Sequence, residues 1–177
     1  KLTLIRVIMI PLFLVFMLND FFGGWDNEIA AIIFIVASIT DWLDGYLARK
    51  NNIVTNFGKF MDPLADKLLV CSALIAFVEI GYLPAWIVIV IISREFIISG
   101  FRLVAADNGI VIAASYWGKF KTVFQMIMII VLIFNFSIPY INIIENILIY
   151  TALALTVISL IDYLIKNKSV MINGGLK

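Results

Sequence analysis

The sequence predicts an all-α, polytopic membrane protein with six transmembrane helices, and three observations carry that prediction. Apolar residues make up 63% of the chain and charged residues 14%, a balance that would leave large apolar areas exposed on a water-soluble globule of this size. Six apolar stretches, at about residues 4–19, 29–47, 63–80, 84–104, 119–136 and 143–165, each approach the roughly 20 residues that a bilayer requires. None alternates with the period of two that a barrel strand would show, and backbone groups in hydrocarbon must find partners within their own segment. One membrane domain, residues 1–177, follows.

The elements follow in order. The run at 4–19 lacks the small-residue cleavage pattern of a signal peptide and is expected to be a span. Because the chain opens at Lys1 without a methionine, the extreme N-terminus is expected to be missing. Gly23-Gly24 separates the first run from the second, and Asn51-Asn52 the second from the third. Pro63 stands at the start of the third run, where either Asp62 caps a helix beginning there or a helix starting nearer Thr55 or Asn56 passes through the proline. Gly81 with Pro84, Asp107-Asn108-Gly109, and Ser137 with Pro139 mark the remaining turns. No internal repeat or low-complexity linker interrupts the series.

Lys and Arg give the orientation. With the N-terminus in the cytoplasm, the outer loops are roughly 20–28, 80–83 and 137–142, and none of them contains a basic residue. The 13 basic residues then fall on the cytoplasmic half or in helices leading to it, while Asp20, Asp26, Glu28, Glu79 and Glu145 mark the outer ends. An even number of spans returns the C-terminus to the cytoplasm, so a multi-pass protein of the cytoplasmic membrane is expected, with both termini inside.

Composition narrows the chemistry. The chain has no histidine and one cysteine, Cys71, which excludes imidazole ligands, His acid–base work, an internal disulfide and any thiolate cluster. Carboxylates, Lys, Arg and hydroxyls remain. Asp41 and Asp44 are three apart and Asp62 and Asp66 four apart, so each pair shares a helix face. Two helices joined by a cytoplasmic loop can bring four hard oxygen donors together, a set suited to Mg²⁺ or Mn²⁺. A lone intramembrane acid is commonly the partner of a nearby base, as Asp44 with Arg49 or Asp66 with Lys67 could be; four in two pairs at one face point instead to a site. Gly45 and Ala48, one and two turns beyond Asp41, leave room for a flat group, and Arg49 offers a planar fork suited to phosphate.

Read together, residues 41–66 spell D-x-x-D-G-x-x-A-R, eight further residues, and G-x-x-x-D-x-x-x-D. This resembles the signature of the CDP-alcohol phosphatidyltransferases. The resemblance implies six membrane helices, a homodimer, two divalent ions held by Asp41, Asp44, Asp62 and Asp66, and displacement of CMP from a CDP-linked donor by an alcohol. It further implies Asp66 as general base, with Asp44, Gly45, Ala48, Arg49 and Gly58 at the nucleotide.

The second half bears on the alcohol. Arg94 and Arg102 are eight residues apart, roughly 80° around a helix, and can face one cavity. With Lys119 and Lys121 at the start of the next span they make four cations able to receive an anion, so an acceptor carrying its own phosphate is expected. Arg102, Lys119 and Lys121 also read as positive-inside anchors, and Arg94 as a structural ion pair with Glu95. The stretches S-R-E-F-I-I-S-G-F-R-L and G-K-F-K-T, the latter followed by Gln125, resemble the branch of the family that uses CDP-diacylglycerol as donor and glycerol 3-phosphate as acceptor. Of that branch's usual opening, Leu2-Thr3-Leu4-Ile5-Arg6 is present. The rival readings are a sibling transferase acting on inositol phosphate, serine or phosphatidylglycerol, and a small cation-coupled transporter. Transport gives no reason for the fixed spacing of Gly45, Ala48, Arg49 and Gly58. The final apolar run adds nothing to the choice.

Overall fold

The structure, a computed structural model, describes residues 2–51, 56–107, 112, 115–136 and 138–168, with the backbone alone described for 2–6, 41–51, 56–66 and 107. The described residues form six helices and no strand: α1 (Leu2–Leu18), α2 (Asp26–Asn51), α3 (Asn56–Glu79), α4 (Ala85–Asp107), α5 (Tyr116–Phe134) and α6 (Ile141–Lys166). The all-α class and the count of six helices agree with the sequence. Two of them, α5 and α6, are long and apolar enough to cross a membrane, and Val7–Leu18 is a shorter apolar helix.

The chain divides into two compact units. Unit 1 comprises residues 1–83 and 129–137; unit 2 comprises 84–128 and 138–177. In unit 1, α1 packs on α2 and α3, and α2 on α3. The contact stripes are Ile10, Phe13 and Met17 on α1, Ala30, Phe34 and Ala37 on α2, and Leu69, Ala73 and Ala76 on α3, all buried. Each repeats at three and four residues, so one face of each helix meets its neighbours. Alanines at the crossing points let the backbones come close, and Phe13 and Phe34 fill the gap between α1 and α2 with ring centroids 5.7 Å apart. The opposite faces carry Ile8, Leu12, Val15, Ile32, Val36, Leu68 and Ile75, all exposed. Alanines at the helix crossings and large aliphatics outside are features that a lipid solvent favours over water.

Turn chemistry sets the helix ends. Gly81, at φ +79°, terminates α3 in a Schellman motif: Tyr82 N–H donates to Phe77 O at 2.8 Å and Gly81 N–H to Val78 O at 3.2 Å. The Phe77 and Tyr82 rings stack at 6.1 Å, the apolar contact that completes the motif. Between α1 and α2, Gly23 and Gly24 have positive φ, and the Asp26 carboxylate accepts the Phe22 N–H at 2.8 Å. The third helix begins at Asn56 and runs on through position 63, so of the two starts the sequence allowed, the one that passes through Pro63 is found.

In unit 2, α4 packs on α6, and the first part of α5 belongs to the same unit. The buried stripe of α6 is Ile149, Ala152, Thr156, Ser159 and Tyr163, a strict alternation of threes and fours. Along α4 the stripe is Ile87, Ile91, Arg94, Ile98 and Ala105; along α5 it is Lys121, Gln125 and Met128. The α6 stripe passes from apolar to polar along the helix, the α5 stripe from polar to apolar, and the α4 stripe is apolar apart from Arg94.

Candidate active site

Asp41, Asp44, Gly45, Ala48 and Arg49 lie in the last part of α2, and Gly58, Asp62 and Asp66 in the first part of α3. Their side chains lie outside the described residues. The backbone gives their register: at 1.5 Å per residue, Asp44 stands about 10 Å and Asp41 about 15 Å before the end of α2, and Asp62 about 9 Å and Asp66 about 15 Å after the start of α3. Counted from the loop that joins these two packed helices, the four positions are at matching heights. Hard oxygen donors in that register fit a divalent cation.

Arg94 is 7% exposed, held where the α4 stripe faces α6. Its Nε donates to Ser159 Oγ at 3.1 Å and its Nη1 to Glu95 Oε1 at 3.2 Å. Lys121, 2% exposed, reaches from α5 and donates to the same carboxylate oxygen. Two cations thus converge on one carboxylate in a site largely closed to solvent.

The surrounding residues make that geometry workable. Ser159 accepts from Arg94 while its own hydroxyl donates to Thr156 O at 3.0 Å, and Thr156 Oγ1 donates to Ala152 O at 2.7 Å. Gly118 is placed so that a Cβ there would stand 3.3 Å from Arg94 Nη2; the guanidinium therefore lies directly over a bare stretch of α5 backbone. Ser115 Oγ accepts the Gly118 N–H at 3.1 Å and fixes the start of α5.

Of the four cations expected to face one cavity, the structure brings Arg94 and Lys121 together through Glu95. Arg102 is exposed, with its guanidinium carbon 6.0 Å from the centroid of Tyr163, against whose ring Phe101 also packs edge-on at 6.2 Å. Lys119 is exposed too, its Nζ 5.6 Å from the Tyr116 ring. The Arg94–Glu95 ion pair offered as an alternative by the sequence is present: adjacent helix positions diverge, but a long guanidinium can bend back to the next carboxylate. What the sequence reading passed over is α6. Thr156, Ser159 and Tyr163 recur at three and four residues in an otherwise aliphatic helix, a polar stripe that marks the face turned to Arg94.

Known proteins point the same way. The family model for CDP-alcohol phosphatidyltransferase matches residues 1–158, a stretch that draws on both units. The chain is 47% identical over 183 residues to the CDP-diacylglycerol–glycerol-3-phosphate 3-phosphatidyltransferase of Bacillus subtilis (strain 168), covering 94% of this chain and 93% of that protein. It is 44% identical to the protein of the same name from Haemophilus influenzae, with 92% and 89% covered. A probable phosphatidylglycerophosphate synthase of Mycobacterium tuberculosis is 40% identical, with 92% and 77% covered.

Proposed function

The chain belongs to the CDP-alcohol phosphatidyltransferase family, and from that premise we propose that it transfers the phosphatidyl group of CDP-diacylglycerol to glycerol 3-phosphate, giving phosphatidylglycerophosphate and CMP. The observation that carries the choice of acceptor is the convergence of buried Arg94 and Lys121 on one carboxylate. A phosphate monoester meets two buried cations with charge-assisted hydrogen bonds, an interaction that a neutral or zwitterionic alcohol cannot match. Arg102 and Lys119, exposed on the same unit, draw the acceptor in from solvent.

In this reading Asp41, Asp44, Asp62 and Asp66 hold two divalent ions, Mg²⁺ or Mn²⁺. A divalent cation held there would supply Lewis-acid neutralisation of pyrophosphate charge and of the charge on departing CMP. Gly45, Ala48 and Gly58 let the nucleotide approach the helices closely, Asp44 borders it, and Arg49 pairs with a phosphate. Asp66 takes the proton of the acceptor hydroxyl as its oxygen bonds to the lipid-side phosphorus and the bond from that phosphorus to CMP breaks. The six helices cross the cytoplasmic membrane as a single catalytic domain, with both termini and the site on the cytoplasmic side, and the active form is a homodimer. The basic-free outer loops support that topology.

Incubating the purified protein with CDP-diacylglycerol, Mg²⁺ and each candidate alcohol, and measuring CMP, tests the reading. Release with glycerol 3-phosphate and not with serine or inositol phosphate is expected. The reverse preference overturns the acceptor, and no release with any alcohol overturns the chemistry in favour of transport.

A further inference from the structure

Gln125 is 2% exposed, and neither its Oε1 nor its Nε2 has a hydrogen-bond partner. A buried carboxamide with both ends unpaired is destabilising, and Leu or Met would fill the space without that cost. The polar side chains of the α6 stripe are committed elsewhere, Thr156 to Ala152 O and Ser159 to Thr156 O and Arg94. Gln125 stands one turn from Lys121 on the same face of α5, about 6 Å further along the core. That step is comparable with the reach from the phosphate of a three-carbon acceptor to its hydroxyls. A carboxamide both donates and accepts, as does a hydroxyl.

We propose that Gln125 is a specificity-determining residue of the acceptor site, its carboxamide binding the middle, non-reacting hydroxyl of a glycerol phosphate whose phosphate is held by Arg94 and Lys121. The inference rests on the acceptor reading given above. It assigns the unpaired amide to discrimination: an alcohol phosphate lacking the middle hydroxyl leaves the amide unsatisfied and is rejected, because a site built around a hydroxyl disfavours the analogue without it.

The test compares glycerol 3-phosphate with 3-hydroxypropyl phosphate in CMP-release assays on the full chain, wild type and Gln125→Leu, together with thermal unfolding. The wild type is expected to prefer glycerol 3-phosphate by about 10- to 100-fold in kcat/KM. In Gln125→Leu the preference falls to near unity through loss on glycerol 3-phosphate alone, with the KM for CDP-diacylglycerol unchanged and the unfolding temperature no lower. Gln125→Met, of similar length and without polar atoms able to replace the amide, gives the same pattern. A retained preference or equal losses on both alcohols overturns the inference while leaving the acceptor reading intact. If both variants unfold at lower temperature, Gln125 is a structural residue and the inference fails. A wild type that uses neither phosphate but releases CMP with an uncharged alcohol overturns the acceptor reading and this inference with it.

Discussion

Arg94 on α4 donates its Nε to Ser159 Oγ on α6 at 3.1 Å, so a buried cation and a hydroxyl 65 residues away in sequence tie the two helices of unit 2 together. Replacing Ser159 with Ala removes the acceptor and leaves a buried charged donor unpaired, a loss of about 1–3 kcal/mol. Thermal unfolding in detergent should show it, and the KM for glycerol 3-phosphate should rise while that for CDP-diacylglycerol stays put.

Gly118→Ala should separate stability from function. The added Cβ meets Arg94 Nη2 at 3.3 Å and Ser115 Oγ at 3.5 Å, so the guanidinium must give way by a few tenths of an ångström. Helix propensity works in the opposite direction, by up to about 1 kcal/mol in favour of Ala. The expected outcome is an unfolding temperature equal or higher, with the KM for glycerol 3-phosphate raised several-fold.

Glu95 is the shared partner of two cations, so Glu95→Gln removes a carboxylate that both Arg94 and Lys121 use. Removing one partner from a largely buried ion pair costs roughly 3–5 kcal/mol. Adding Lys121→Met to that variant should recover part of the loss, and a double-mutant cycle on unfolding free energies measures the coupling. Strict additivity would show that the two residues do not interact.

Asp26, in the outer turn ahead of the span at 29–47, gives a pH dependence. Burial acts to raise its carboxyl, but hydrogen bonds from the amides of Phe22, Phe21 and Asp26 itself, with one shared with Asp20, together hold it below the ordinary value. A depressed carboxyl contributes stability that is present above its unfolded value and is lost as pH falls through the folded one. Unfolding temperatures measured downward from neutral pH should therefore decline in the carboxylate range, and Asp26→Asn should flatten that decline.

Among the aspartates, Asp66→Asn should bind CDP-diacylglycerol and metal much as the wild type does while turnover falls by about 10²–10⁴-fold, the share of a general base. Asp41→Asn should instead weaken metal binding, read by the Mg²⁺ dependence of donor binding. Equal metal affinities in the two variants would count against dividing the roles this way.

The sequence made the six helices legible because each is marked by an apolar run and a turn. The poorest agreement is at the facing ends of α2 and α3, where apolar runs end at 47 and begin at 63 but the helices extend to Asn51 and start at Asn56. Hydropathy reports contact with lipid, whereas helical hydrogen bonds continue into polar sequence. The aspartate constellation was legible because its spacing is local to two helices. The partnership of Arg94 with Ser159 was not: a serine in an aliphatic helix can satisfy itself on its own backbone, as Ser159 also does on Thr156, and nothing in the string of residues says that a guanidinium waits opposite.

The alanines at Ala30, Ala37, Ala73 and Ala76, set against exposed isoleucines and leucines on the same helices, mean that inside and outside are alike in polarity and differ in bulk. Hydrophobicity takes such a chain into the bilayer but cannot tell it how to assemble; volume does that. A change such as Ala37→Leu, which keeps the position apolar, would prise α2 from its neighbours, whereas Ile32→Ala on the outer face would pass almost unnoticed.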